Sequence, residues 1–329
     1  MLQVLVVTFP FFALVLCGYL AARWLAMPLD VIPGLNVFVL FFALPCLIFQ
    51  FASTTPIVRL LDPGVCITYL VCAVTMVALT VATTRRGPIG WRDASFGALA
   101  AAFPNAAFMG LPLSVALLGA KAPGPVIVSL TVDMIFTCSL CIALSKLGAS
   151  SERGAARAVM QVTRGIASNP LPWAIVLGCL STATGVRLPH PAMRAVEMLA
   201  QAASPAALFT IGAVLARSQL VTPGSSPPRG QKEGVPLWVF YKLVAHPAVV
   251  FGIGSLAMAF GLPLDAFSLS VLVLVAALPS ANSVPILAER FGAEMGRTAQ
   301  AVILSTALSF FTFPAAMVIL KYLEGHINP

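Results

Sequence analysis

The sequence predicts an all-α polytopic membrane protein: ten transmembrane helices built as a five-plus-five inverted repeat, with the fourth and ninth broken. Three observations carry that expectation. The first is composition. The 329 residues are 59% hydrophobic and only 9% charged, with a mean hydropathy of +0.98, whereas about 25% of residues in a soluble domain are charged. That leaves too little polar surface to cover a water-soluble globule of this size. A transmembrane barrel would show short alternating segments, and the apolar runs here are continuous. The second is a pair of interrupted segments at matching places in the two halves, Phe103-Pro104-Asn105-Ala106-Ala107-Phe108-Met109-Gly110-Leu111-Pro112 and Leu278-Pro279-Ser280-Ala281-Asn282-Ser283-Val284-Pro285. The third is the uneven distribution of basic residues among the loops.

A membrane helix needs about 20 mainly apolar residues. Ten spans meet that need, at 2–22, 31–51, 65–84, 94–118, 125–147, 170–186, 196–216, 237–260, 267–287 and 298–322. The first begins at the N-terminus without a charged leader region or a cleavage motif, and so reads as a membrane helix rather than a removed signal. The second and seventh match each other through Ala43-Leu44-Pro45 and Ala203-Ser204-Pro205. The fourth and ninth carry the interrupted motif. Proline removes a backbone donor and clashes with the preceding turn. Hydrocarbon cannot satisfy the carbonyls it frees, so a broken helix survives at that depth only when buried in protein or lining a cavity. Pro104, Pro112, Pro279, Pro285, Pro45 and Pro205 are therefore the expected helix-break positions. Five spans is an odd number, so the second copy enters the membrane in the opposite sense. The organisation expected is a first repeat over 1–147, a basic loop over 148–168 and a second repeat over 169–329; a further polar loop, 218–235, is rich in Pro, Gly and Ser.

Thirteen of the 19 lysines and arginines fall on one set of loops and five on the other, with Lys242 inside a span. The positive-inside rule places the richer set in the cytoplasm and, with ten spans, both termini on the non-cytoplasmic side. The net charge of +8 is thus a topology signal, not a nucleic-acid footprint. All seven cysteines fall inside apolar spans and read as core filler. Cys138 and Cys141 have no histidine or acid cluster beside them, so no metal site is expected. No Walker, HExxH or GxSxG motif and no catalytic carboxylate pair is present, so the reading is not an enzyme, and no cofactor is implied.

A matched pair of interrupted helices is the best pointer in sequence to the midplane binding site of a secondary transporter. Asn105 and Asn282 are the leading substrate-binding candidates. An amide can donate to a carboxylate, and half-helix N-termini favour anions. Ser280, Ser283 and Gly110 supply further polar atoms and room. The plainer role for both asparagines is to cap the broken backbone, and the two roles are compatible. Asp133, halfway along the fifth span, is an ionisable group in a membrane helix and so a functional candidate by default; a structural ion pair is the alternative. Lys242 and His246, four apart on the eighth span, share a face. His246 sits roughly 15 Å deep at 1.5 Å per residue, while Lys242 is shallow enough to snorkel. These three are the candidates for ion or proton coupling.

The segments Phe41-Phe42-Ala43-Leu44-Pro45, Asn105-Ala106-Ala107-Phe108-Met109-Gly110-Leu111-Pro112 and Ala281-Asn282-Ser283-Val284-Pro285-Ile286-Leu287-Ala288 resemble the auxin efflux carrier family, in particular its bacterial members described as malonate or malate permeases. The resemblance implies a ten-helix fold akin to the bile acid:sodium symporters. In that fold helices four and nine cross at their broken centres within a transport domain, and helices one, two, six and seven form a scaffold. It further implies elevator-type motion, a small carboxylate substrate and a bacterial inner membrane. Sodium-coupled relatives in the wider fold place a glutamate at the ninth-helix crossover. Here Ser280 and Asn282 stand there, and the next acid is Glu289. A proton is therefore expected ahead of sodium if a cation is coupled, and uniport gains weight. The alternatives are a sodium-coupled organic-anion symporter and a non-transporting receptor or scaffold on the same fold. Partners expected are the carboxylate, the lipid bilayer and the coupling ion; whether two copies form a homodimer is left open.

Overall fold

The computed structural model describes residues 2–24, 27–60, 62–85, 89–146, 169–221 and 233–327. The basic loop at 148–168 and most of the loop at 218–235 lie outside the described residues. Every regular element among them is helical. In chain order these are α1 (Leu2–Arg23), α2 (Val31–Thr54), α3 (Pro63–Thr84), α4 (Trp91–Ala102), α5 (Ala106–Leu118), α6 (Pro123–Lys146), α7 (Pro170–Thr184), α8 (His190–Val221), α9 (Val235–Ala259), α10 (Ala266–Ala276), α11 (Val284–Arg290) and α12 (Met295–Ile327), with one further turn at Ile57–Leu60. Six stretches, in α2, α3, α6, α8, α9 and α12, are long and apolar enough to cross a membrane, while α5, α7, α10 and the Phe9–Arg23 part of α1 are apolar but shorter. This is a multi-pass membrane protein.

The helix starts follow from local chemistry. Asp62 caps α3 by accepting from the Gly64 and Val65 N–H groups at 2.9 and 3.1 Å, with Pro63 in the first turn. Asn169 caps α7 the same way, accepting from Leu171 N–H at 3.0 Å ahead of Pro170. Asp265 caps α10 through Ser268 N–H at 3.3 Å. A side-chain acceptor at the N-cap satisfies one of the donors a helix start leaves unpaired.

Four helices contain a five-residue π-helical turn, at Val39–Ala43, Ala106–Gly110, Asp133–Thr137 and Tyr241–Ala245. Three of these are followed two residues later by a proline, Pro45, Pro112 and Pro247. The wider turn absorbs the hydrogen bond the ring cannot make. Pro45 thus sits in a helix that continues, and α8 runs through Pro205 as plain α-helix. Neither proline breaks its helix. The breaks are at Pro104 and Pro279, while Pro112 follows the π-helical turn inside α5 and Pro285 sits in the first turn of α11.

The chain divides into two compact units, each drawn from separate stretches of sequence. The first comprises Met1–Leu61, Ala107–Ile127 and Ala167–Ser226. There α1 and α8 pack backbone to backbone: a Cβ on Gly18 would lie 1.9 Å from the Phe209 carbonyl oxygen, and one on Gly212 would lie 1.8 Å from that of Val15. Small residues at helix contacts are the usual solution in membranes. Thr182 of α7 donates to the Ala52 carbonyl of α2 at 2.9 Å. The second unit comprises Asp62–Ala106, Val128–Ile166 and Pro227–Pro329. Its centre is formed by two half-helices buried on all sides, α4 from Ala94 to Ala102 and α10 from Ser268 to Ala276. A helix that is apolar all round must be buried all round. Elsewhere large apolar side chains such as Phe260 and Phe311 stay exposed.

Candidate functional site

The site lies within the second unit, where the two interrupted segments meet. Helix α4 stops at Ala102 because Phe103, the residue before Pro104, is extended (φ −96°, ψ 103°), the conformation proline imposes on its predecessor. Helix α10 stops at Ala276, three residues before Pro279. The chain ends that follow lie antiparallel. Asn105 N–H donates to the Pro279 carbonyl at 2.8 Å, and Ala281 N–H donates to the Phe103 carbonyl at 3.0 Å. Pro104 and Ser280 are the facing pair. In an antiparallel pair, one set of facing residues exchanges no hydrogen bonds, and a proline can occupy only such a place, since it has no N–H to give.

The breaks leave carbonyls without their usual partners, and two of these are satisfied by side chains. The Ala100 carbonyl would accept from residue 104, which is proline; the Ser280 hydroxyl donates to it instead, at 2.6 Å. The Ala276 carbonyl would accept from Ser280 N–H, but that group turns to the Ser305 hydroxyl of α12 at 3.1 Å. The Lys242 ammonium of α9 takes its place, donating to the Ala276 carbonyl at 2.6 Å. A cation suits that position, because the C-terminal end of a helix carries partial negative charge.

Behind the crossover runs a chain of buried polar groups. Lys242, His246 and Asp133 are each 0% exposed. Lys242 Nζ is 2.9 Å from His246 Nδ1. Lysine has only donors, so Nδ1 accepts and the proton sits on Nε2. The His246 ring lies against Tyr69, with centroids 6.2 Å apart. The Tyr69 hydroxyl donates to Asp133 Oδ2 at 2.8 Å, and Thr137 donates to Oδ1 at 2.9 Å. Asp133 and Lys242 each open or occupy a π-helical turn, a geometry frequent at functional sites. The ion pairs found among the described residues are Arg194–Glu197, Arg297–Asp93 and Arg297–Glu294; Asp133 and Lys242 make no direct ion pair.

The candidate residues divide accordingly. Asn105, Ser280 and Asn282 come together at the crossover. Asn105 is 2% exposed, and its side-chain nitrogen is buried with no hydrogen-bond partner among the described residues. Asn282 is half-buried and Ser283 exposed. Gly110 belongs to the first unit. Lys242 is wholly buried, so the snorkelling expectation does not hold: its charge is held by a helix end rather than by the membrane surface. Three participants escaped sequence reasoning. Tyr69 carried a usable signal, since a tyrosine at mid-span must find a partner for its hydroxyl. Thr137 and Ser305 gave no signal, since a hydroxyl on a helix commonly bonds back to its own backbone. Ser305 does donate to the Val302 carbonyl at 3.0 Å, yet it also accepts from the crossover.

The comparisons with known proteins place the chain among membrane transport proteins. The family model described as "Membrane transport protein" matches residues 3–317. The chain belongs to that family. It is the auxin efflux carrier family of the sequence resemblance, and the transport protein is covered by it nearly from end to end. A curated protein of Rhizobium meliloti (strain 1021), named "Putative malonate transporter", is 28% identical over 319 residues, spanning 95% of this chain and 94% of that one.

Proposed function

We propose that the protein is a secondary active transporter of a small organic anion, a mono- or dicarboxylate such as malonate or malate, acting by elevator-type alternating access in a bacterial inner membrane. The observation that carries this reading is the buried side-chain nitrogen of Asn105, a donor without a partner at the point where two broken helices meet. A buried polar group in a native site calls for a partner, and a carboxylate oxygen is the acceptor that family membership favours. Asn282 and Ser283, on the more open side of the crossover, would complete the contact. Ser280 commits its hydroxyl proton to Ala100, so in this reading it fastens the crossover rather than the substrate. The second unit holds the crossover and the whole polar chain, which supports a moving body that carries the site, with the first unit as its scaffold. The ten crossings, the inverted five-plus-five repeat and the outward-facing termini belong to the same reading.

The coupling ion is a proton exchanged at Asp133, with His246 as the second position, or the carrier runs as a uniporter. The polar chain supports this over sodium: the second half-helix end is already met by the ammonium of Lys242, and no acid stands at the crossover.

Labelled malonate uptake into proteoliposomes tests the reading. Saturable flux is expected, and Asn105→Ala should weaken substrate affinity by roughly one to two orders of magnitude, as losing a hydrogen bond to a charged group implies. Absence of flux for a panel of carboxylates, from folded protein that still binds them, would favour the receptor reading. Uptake should rise as outer pH falls, and Asp133→Asn should remove that dependence while leaving substrate exchange intact. Sodium-dependent uptake that ignores pH in both proteins would overturn the coupling assignment.

A further inference from the structure

A second concavity lies in the same unit, away from the crossover. It has a volume of about 620 Å³ and is walled by Val74, Val77, Ala78, Val81 and Ala82 of α3 with Leu140 and Leu144 of α6. At one end stand Arg85, which follows α3 directly, and Trp91, the first residue of α4. Helices α3 and α6 are joined by the Tyr69–Asp133 hydrogen bond, and the slot lies along the stretches that run from there towards Arg85. From Val74 to Arg85 is roughly 16 Å of helix at 1.5 Å per residue.

Among the described residues, the cationic end of the slot has no counter-charge. The Arg85 guanidinium rests on the Trp91 ring, 4.0 Å from its centroid. Arg85 is exposed, and no carboxylate among the described residues pairs with it. The one nearby acid in sequence, Asp93, is already engaged, by Arg297 at 3.5 Å and by Glu294 N–H at 2.9 Å. Arg92, also exposed, follows Trp91 directly. An apolar slot closing on an aromatic platform with an unpaired arginine has the shape and polarity of an amphiphile with an anionic head. Trp is the residue expected at headgroup level, and clustered arginines at a membrane surface attract anionic lipid.

We propose that this slot binds an anionic phospholipid, its phosphate at Arg85 and Trp91 and one acyl chain along the α3–α6 wall. The site is separate from the substrate crossover and stands whether or not malonate is the cargo. A lipid held there would fasten the ends of α3, α4 and α6 that surround it.

Purified protein in neutral detergent is titrated with phosphatidylglycerol, phosphatidylcholine or glycerol 3-phosphate, following melting temperature and lipid retention by native mass spectrometry. Phosphatidylglycerol should raise the melting temperature and be retained. Phosphatidylcholine, lacking net charge, and glycerol 3-phosphate, lacking chains, should do neither. Arg85→Gln should weaken phosphatidylglycerol retention by about fivefold, the loss expected for one arginine at a lipid surface. Ala78→Phe, at an exposed position of α3, should block the slot with Arg85 still in place. Equal retention of the two lipids overturns the proposal, as does undiminished phosphatidylglycerol binding in either variant; stabilisation by glycerol 3-phosphate alone would make it a simple anion site and overturn it too.

Discussion

The two half-helices that end at the crossover solve the same problem with different chemistry. Helix α4 gives up a carbonyl at Ala100 and receives a neutral hydroxyl from Ser280. Helix α10 gives up a carbonyl at Ala276 and receives a buried ammonium from Lys242. The asparagines that follow differ as well: Asn105 is sealed in, with its backbone tied to Pro279, whereas Asn282 is half-buried. One arm of the crossover is therefore fixed by neutral bonds, and the other depends on a charge held in place by His246. The charged arm is the one linked through Tyr69 to Asp133, so a change of protonation there would reach α10 through Lys242.

That contrast can be broken in stages. Lys242→Met should be the costliest change, losing about 3 kcal/mol in denaturant or thermal unfolding, because it strips a buried carbonyl and His246 of their charged partner. Ser280→Ala should lose only about 1 kcal/mol, the scale of a neutral hydrogen bond; equal losses in the two variants would show that the two ends are energetically alike. For binding, Asn105→Ala should weaken malonate affinity more than Asn282→Ala, by about tenfold in isothermal titration, since hydrogen bonds are worth more where water is excluded. The reverse order would place the anion on the open side. Packing offers a smaller test. A Cβ on Gly97 of α4 would lie 2.1 Å from the Trp238 indole, while one on Gly254 of α9 would lie 2.2 Å from the flexible end of Leu269 on α10. Gly97→Ala should cost about 1–3 kcal/mol by overpacking a rigid ring, and Gly254→Ala less, because Leu269 can change rotamer. Thr137→Val should cost about 1 kcal/mol, as Ser280→Ala does, since it removes one of two donors to Asp133.

Much of the frame was legible because membrane helices write themselves in composition. Six of the apolar ranges read from the sequence fall on helices long and apolar enough to cross a membrane, and the paired Pro104 and Pro279 marked the two breaks, since proline's missing donor acts locally. Locality also set the limit. Pro45 and Pro205 read like Pro104, yet their helices continue, through a π-helical turn in one case and plain α-helix in the other. A proline states that one hydrogen bond is lost; whether the helix absorbs or yields to that loss is decided by what packs around it.

The chain's composition and punctuation were enough to dictate an all-helical membrane protein, two broken helices and a buried acid and histidine, because burial patterns and backbone donors are properties of neighbouring residues. Which groups meet was decided in three dimensions. Tyr69 reaches Asp133 across 64 positions and Lys242 reaches Ala276 across 34, and Ser280 closes on Ala100 across 180. Freed carbonyls and buried charges in an apolar interior must find partners, but the partner's identity depends on which helices pack together, and no local pattern encodes that.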